Sequence, residues 1–370
     1  RRGRLAATLG RGLLIAAKLA RRREDSPEAM FPMRFPLSLT RSMAGYLLKQ
    51  RLGGRERFPL VLMLEPLFAC NLRCEGCGRV REYADCQRDR LSIEECLAAA
   101  DECGAPVVSV CGGEPLIYPG VEELIDRLLA RRKHVYLCTN GLLLEKKLPG
   151  LRPTSRLLIN VHLDGMEATH DRLAGRPGVF HEAVAGIRAA RQAGFRVCTN
   201  TTIYRQTDMH EIAVLLELLA CLGVDGFLLS PAYGYEAVRA SDPGAARLFM
   251  TRQECRAKFR EARPILSRFR LTNSPIYLDF LCGDRELPCA AWASPTRNVR
   301  GWKGPCYLLT DRHYATYEEL VESTRWERLG PGNDPRCEHC LVHCGFEPAA
   351  VLAANRRVRD AVAMALWQLG

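Results

Sequence analysis

The sequence predicts an α/β fold built on a parallel sheet, a partial (β/α)6 barrel followed by a C-terminal cysteine-rich part. Three observations carry this. Six short apolar runs alternate with amphipathic segments, polar or glycine-bearing motifs close those runs, and the alternation gives way near residue 266 to loops and cysteines. The runs read as strands near 59–67, 106–111, 134–139, 157–163, 195–202 and 226–230. Between them, Ile93–Cys103, Val121–Arg132, Glu182–Ala193 and Met209–Leu222 carry apolar residues at helical spacing. Strand–helix units of about thirty residues are long enough for the crossovers that parallel neighbours require. In such barrels function gathers at the carboxyl ends of the strands. The resulting partition is a basic N-terminal arm (1–57), the barrel (58–265), the cysteine-rich part (266–350) and a C-terminal helix (351–370), the last read as one docking or capping helix over Ala349–Leu369.

At 370 residues and 47% apolar content the chain can bury a large core, and no run approaches eighteen apolar residues. Its seventeen cysteines, without a clear signal peptide, point to a reducing cytoplasm, where Cys96, Cys103, Cys198, Cys221 and Cys255 read as small core residues. The net charge of +11 is concentrated: residues 1–57 hold fourteen Lys/Arg against four Asp/Glu, leaving the rest within one charge of neutral. The body is therefore not a nucleic-acid binder. The arm is either a solvated tail or a peripheral contact with the inner face of the cytoplasmic membrane, through Leu13-Leu14-Ile15 and Tyr46-Leu47-Leu48. The chain begins with Arg, and Met30, Met33 and Met43 are alternative starts, so the first thirty or so residues are set apart from the fold reading.

Cys70, Cys74 and Cys77 form C-x3-C-x2-C directly after the first strand. Three thiolates on a short loop can hold three irons of a cube and leave the fourth open; zinc or plain buried thiols are the competing explanations. One strand–helix unit later comes Gly112-Gly113-Glu114-Pro115, where glycines allow close backbone approach to a ligand and Glu114 offers a carboxylate to an ammonium group. Asp164, in VHLDG, closes the fourth strand and either meets ribose hydroxyls or caps a turn. In the C-terminal part Cys289, Cys306, Cys337, Cys340 and Cys344 number one more than a single cube's ligands, with zinc in the C-x2-C-x3-C half as the rival.

The cysteine loop and the Gly-Gly-Glu-Pro turn together resemble the radical S-adenosylmethionine (radical SAM) superfamily. That resemblance implies a [4Fe–4S] cluster on Cys70, Cys74 and Cys77 and S-adenosyl-L-methionine as co-substrate, chelated at the open iron and cleaved to a 5′-deoxyadenosyl radical. It implies that Gly112, Gly113 and Glu114 hold the methionine amino group. The usual pattern has an aromatic residue before the third cysteine, where this chain has Gly76. The five later cysteines resemble SPASM or twitch domains, implying a second [4Fe–4S] cluster. Cys138, in VYLCTNG, sits at the third strand's end facing the predicted mouth, where a thiol beside a carbon radical can give it a hydrogen atom or an electron; Cys111 is the second choice.

Longer stretches, among them FPLVLMLEPLFACNLRCEGCG, HVYLCTNGLLLEKK, SPTRNVRGWKGPCYLL and CEHCLVHCGFE, resemble the adenosylhopene transferase family. This implies addition of the adenosyl radical to the alkene of diploptene or a related polycyclic triterpene, giving adenosylhopane in hopanoid biosynthesis. Cys138 would be the reducing residue and a flavodoxin or ferredoxin the electron donor. A hydrocarbon substrate needs an apolar cavity, which Phe68, Tyr118, Phe227 and Tyr233 either line or, equally well, leave for the core. The alternatives are a radical SAM peptide maturase with an auxiliary cluster and, from another class, an iron–sulfur electron carrier, which has no use for an open iron.

Overall fold

The structure, a computed structural model, describes residues 34–354 and 357–369. In chain order, α1 (Leu37–Leu52) leads to β1 (Val61–Glu65), α2 (Ile93–Cys103), β2 (Val107–Val110), α3 (Val121–Ala130), β3 (His134–Thr139) and β4 (Leu157–His162). Then follow α4 (Glu167–Ala174), α5 (Val179–Gln192), β5 (Arg196–Ile203), α6 (Met209–Cys221), β6 (Gly226–Pro231), α7 (Arg252–Leu266) and α8 (Pro275–Cys282). A short meander of β7 (Thr296–Asn298), β8 (Gly301–Pro305) and β9 (Thr310–Tyr314) precedes α9 (His343–Ala354) and α10 (Val358–Leu369).

Strands β1 to β6 lie side by side in sequence order, all parallel, as the alternation predicts. Burial alternates along β4: Leu157, Ile159 and Val161 are sealed under the helices, while Leu158, Asn160 and His162 are half-buried. This two-residue period separates the outer core from the barrel interior. Local signals fix the helix ends. Ser92 and Glu95 form a capping box on α2, which stops at left-handed Gly104, and Thr251 and Glu254 do the same for α7. Helix α5 starts three residues before its expected start because the Asp171 carboxylate accepts the N–H groups of Gly178 and Phe180 from outside the helix.

The structure differs from expectation in three places. The cysteine-rich part continues the barrel's sheet: β7 pairs parallel with β1, and β8 and β9 follow antiparallel, so β1 has neighbours on both sides. A three-residue strand has no period to read. The expected helix over 349–369 is two helices, the first opening at His343 inside the last cysteine motif. Cys96, Cys103, Cys198 and Cys255 are buried, but Cys221 is exposed at the end of α6. Phe68 stacks on Tyr83, Tyr118 donates its hydroxyl to the Leu91 carbonyl and Phe227 packs on Phe269; all three are core, while Tyr233 lines a cavity.

Helix α1 covers the amino-terminal ends of the strands. Phe35, Pro36 and Leu39 meet His134, Leu157 and Arg196, which open β3, β4 and β5, and Tyr46 donates to the Pro59 carbonyl ahead of β1. Leu13-Leu14-Ile15 lies outside the described residues. Among those described, no helix is long and apolar enough to cross a membrane.

Burial depresses four histidines, His134, His170, His313 and His343, to about 4. Each is neutral when folded but takes a proton near pH 6.5 when unfolded, so stability is full above pH 6.5 and lost as pH falls toward 4. The urea midpoint should fall between pH 7.5 and pH 5, and a His134→Gln variant should show a shallower fall; parallel profiles would refute the burial assignment.

Candidate active site

The loop carrying Cys70, Cys74 and Cys77 leaves β1 and is closed at its base by an ion pair. Fully buried Glu65 ends β1, and Arg79, two residues after Cys77, places Nε 3.1 Å from its carboxylate. Burial alone would lower the Arg79 pKa, but Glu65, Tyr307, Tyr235 and Glu82 raise it well above normal. Its guanidinium also donates to the Tyr307 carbonyl and lies over the Tyr307 ring at 4.1 Å, tying the loop to the C-terminal part. Arg81 donates to the carbonyls of Cys74 and Cys77, and Asn140 reaches from the end of β3 to Asn71.

Gly112 and Gly113 serve this loop. A Cβ on Gly112, at φ +112°, would fall 2.4 Å from the Leu67 carbonyl oxygen, and one on Gly113 would fall 2.1 Å from that of Ala69. The close approach that demands glycine is thus to the chain's own backbone entering Cys70, pinned by Gly113 N–H to Leu67 and Glu114 N–H to Ala69. Glu114 is almost fully buried. Its carboxylate accepts from Leu116 N–H, the Thr139 hydroxyl and Asn140 N–H, so one of its roughly four lone-pair positions remains for a ligand. Burial nonetheless raises its pKa.

The three thiols share one poorly solvated place. Burial pushes the Cys70 thiol up to about 11, while Leu72 N–H points at its sulfur from 3.5 Å. Burial and the charges of Cys77, Asp164 and Cys70 push Cys74 up as well. Cys70 and Cys74, so raised, become thiolates together only beside a cationic centre, as an iron–sulfur cube would provide. Two tyrosines that sequence reading missed clamp this loop. A side chain at position 76 would meet the Tyr204 hydroxyl at 2.5 Å, and one at position 78 would meet the Tyr235 ring at 2.2 Å. Gly76 therefore leaves room for an aromatic ring arriving from the end of β5. The only sequence cue is a glycine on each side of Cys77.

Asp164 does not present a free carboxylate. One oxygen accepts from His162 Nε2 at 2.8 Å and the other from Thr202 N–H at 2.7 Å, and its own N–H is taken by His170. The half-buried group is the His162 ring, whose pKa burial lowers but Asp164 raises to a net increase. Cys138 is half-buried at the end of β3, its sulfur 3.3 Å from Ser109 Oγ and 3.8 Å from Asn160 Nδ2. Burial raises its pKa, keeping it a thiol with its hydrogen in place. Cys111, fully buried behind it, is less accessible.

Cys289, Cys306, Cys337, Cys340 and Cys344 ring one cavity with about 520 Å³ of empty space, part of it continuous with solvent. Burial raises the Cys289 pKa, and Cys340, Cys306 and Cys337 add to the rise. Among the described residues no three His, Cys, Asp or Glu side chains converge tightly enough for a single ion. Thiols spread round a cavity fit a wide inorganic core better than zinc, whose sulfurs lie about 2.3 Å from one point. Tyr233 lines this cavity and meets Tyr235 edge-on at 5.2 Å, so a pair of rings stands between the two cysteine groups.

Residues 64–219 match the Radical SAM superfamily profile, and residues 227–364 match a domain of unknown function, DUF3463. With the parallel barrel and cysteine loop, residues 64–219 form a radical SAM domain; the superfamily uses a [4Fe–4S] cluster and S-adenosylmethionine. The chain is similar to AdoMet-dependent heme synthase of Methanosarcina barkeri, 34% identical over 45% of this chain and 48% of that protein. It is also similar to the subtilosin biosynthesis protein AlbA of Bacillus subtilis, 26% identical over 78% of this chain and 66% of that one. Streptococcus suis SuiB bound to its precursor peptide SuiA shares the fold, with TM-score 0.59, 14% identity and coverage of 85% and 76%. The chain spans about half the length of the curated relatives it matches first.

The tyrosine clamp is testable apart from turnover. Gly76→Ala should lower stability by about 1–3 kcal/mol, because the buried Tyr204 ring has nowhere to move. Combining it with Tyr204→Phe, which removes the hydroxyl nearest the new methyl, should recover part of the loss. Unchanged unfolding of Gly76→Ala would refute the contact.

Proposed function

We propose that this chain is a radical SAM enzyme that quenches a carbon radical at the barrel mouth with a hydrogen atom from Cys138. The supporting observation is that one half-buried thiol stands at the end of β3, beside Ser109 and Asn160, with Cys70 and Glu114 in the same mouth. When bound, a [4Fe–4S] cluster and S-adenosylmethionine supply a 5′-deoxyadenosyl radical. Cys70, Cys74 and Cys77 would hold the cluster, Glu114 at the end of the Gly112-Gly113 turn would receive the methionine ammonium, and Asp164 would act on the ribose side through the His162 ring. At Cys138 the S–H bond breaks and a C–H bond forms on the substrate. The thiyl radical left behind takes one electron from a donor of the flavodoxin or ferredoxin class and one proton from solvent.

Two substrate classes fit different parts of the chain. A triterpene alkene such as diploptene is implied by the long stretches resembling adenosylhopene transferases. Addition to an alkene leaves an adduct radical that must be reduced, the task for which the Cys138 thiol is placed. A peptide substrate has the broader support: the likeness to AlbA runs over 78% of this chain, and the five-cysteine cavity can hold a second cluster. Forming a new bond within a peptide removes hydrogen and needs an electron acceptor, a role that cluster would fill. Anaerobic reconstitution with reductant and S-adenosylmethionine, with diploptene or candidate peptides added, and mass spectrometry of the products separates the two. An adenosylated hopane establishes the first; a peptide lighter by two hydrogens establishes the second.

Reconstituted protein with two cubes should carry about eight irons, and Cys74→Ala about four, with loss of S-adenosylmethionine cleavage. Residual cleavage in that variant would contradict the ligand assignment. In Cys138→Ala, cleavage should continue while reduced product falls and rearranged adducts accumulate; full yield would remove Cys138 from the reaction.

A further inference from the structure

The outer side of α10 carries an apolar stripe facing solvent. Val358, Val362, Leu366 and Leu369 are 83%, 52%, 65% and 58% exposed, and Ala361 and Ala365 between them are exposed as well. These positions recur at three- and four-residue steps, so they form one continuous strip. The acidic residue of this helix, Asp360, is turned inward and paired with Arg285 at 2.5 Å. Helix α1 adds exposed Leu37, Leu48 and Leu52, while Leu39, Met43, Tyr46 and Leu47 pack inward. The two helices join at their ends, where Arg34 N–H donates to the Gln368 carbonyl, the Gln368 side chain donates to Phe35 and Thr40, and the Phe35 and Trp367 rings meet at 5.6 Å.

The rim of these strips is cationic. Arg41, Lys49, Arg51, Arg55 and Arg57 are exposed on and just after α1, and Arg357 and Arg359 open α10; against them stands exposed Glu56. A second copy of the chain would bring like charges together, and the basic segment preceding Arg34 would do the same. A negatively charged bilayer matches both features, taking the apolar strip into its headgroup boundary and the Arg/Lys rim onto its phosphates.

We propose that the outer faces of α10 and α1 dock this protein on an anionic lipid membrane. The surface lies where α1 covers the amino-terminal ends of the strands, opposite the mouth that holds Cys70, Cys74 and Cys77. Docking there leaves the mouth open to the aqueous side, within reach of a soluble electron donor. The proposal is independent of the substrate reading.

Flotation of the full chain with vesicles of phosphatidylglycerol and phosphatidylethanolamine, against vesicles of phosphatidylcholine alone, tests it. Binding should favour the anionic vesicles, weaken as salt rises and fall by about tenfold or more in a Val362→Asp/Leu366→Asp variant whose melting temperature is unchanged. Equal binding of the variant would assign attachment to the segment before Arg34 and overturn the proposal. Absence of binding by the unaltered chain would overturn it too, whether light scattering then finds a monomer or a dimer that the variant dissolves.

Discussion

Everything at the mouth hangs on the pairing of Glu65 with Arg79. A carboxylate with no hydrogen-bond donor, buried at the end of β1, is tolerable only beside a cation. That cation sits just beyond Cys77, so satisfying Glu65 draws both ends of the cysteine loop together. Removing either partner would strand a buried charge at a cost of about 3–5 kcal/mol. Arg79 also reaches Tyr307 and Glu82, and Glu82 pairs with buried Lys303 on β8, whose pKa burial lowers to about 8. One charge network thereby fixes the barrel's first loop and the meander that carries the sheet past β1.

The same economy of neighbours shapes the rest of the site. Glu114 and Asp164 lie at the mouth, yet both are largely consumed by the protein itself: Glu114 holds the ends of β2 and β3 together, and Asp164 orients His162 and anchors Thr202. What a ligand meets is then mostly backbone, an imidazole and thiols. Cys138 differs because its partners are a hydroxyl at 3.3 Å and an amide at 3.8 Å, neither of them charged, and its sulfur keeps a hydrogen.

The barrel was legible because six short apolar runs alternate with segments of near-3.6 period, and because parallel strands need long crossovers. The cysteine loop stood out because the spacing of its three thiols is local. Short β7, with no period, was not legible, and the break between α9 and α10 was passed over although a run of mostly polar and charged residues, Arg357 and Arg359 among them, interrupts the apolar pattern there. Tyr204 and Tyr235 were missed because a clamp between residues more than a hundred positions apart leaves only two glycines as its trace.

Sequence by itself determined the α/β fold class and its alternation of parallel strands with helices, since both are written in local runs and periodicity, and it singled out the cysteine loop by resemblance. Tertiary structure alone decided which polar groups are free. It spent the carboxylates of Glu114 and Asp164 on the protein's own donors, gathered five distant cysteines around one cavity and left the strip on α10 uncovered. Burial and partnership depend on residues far apart in the chain, and no local pattern encodes them.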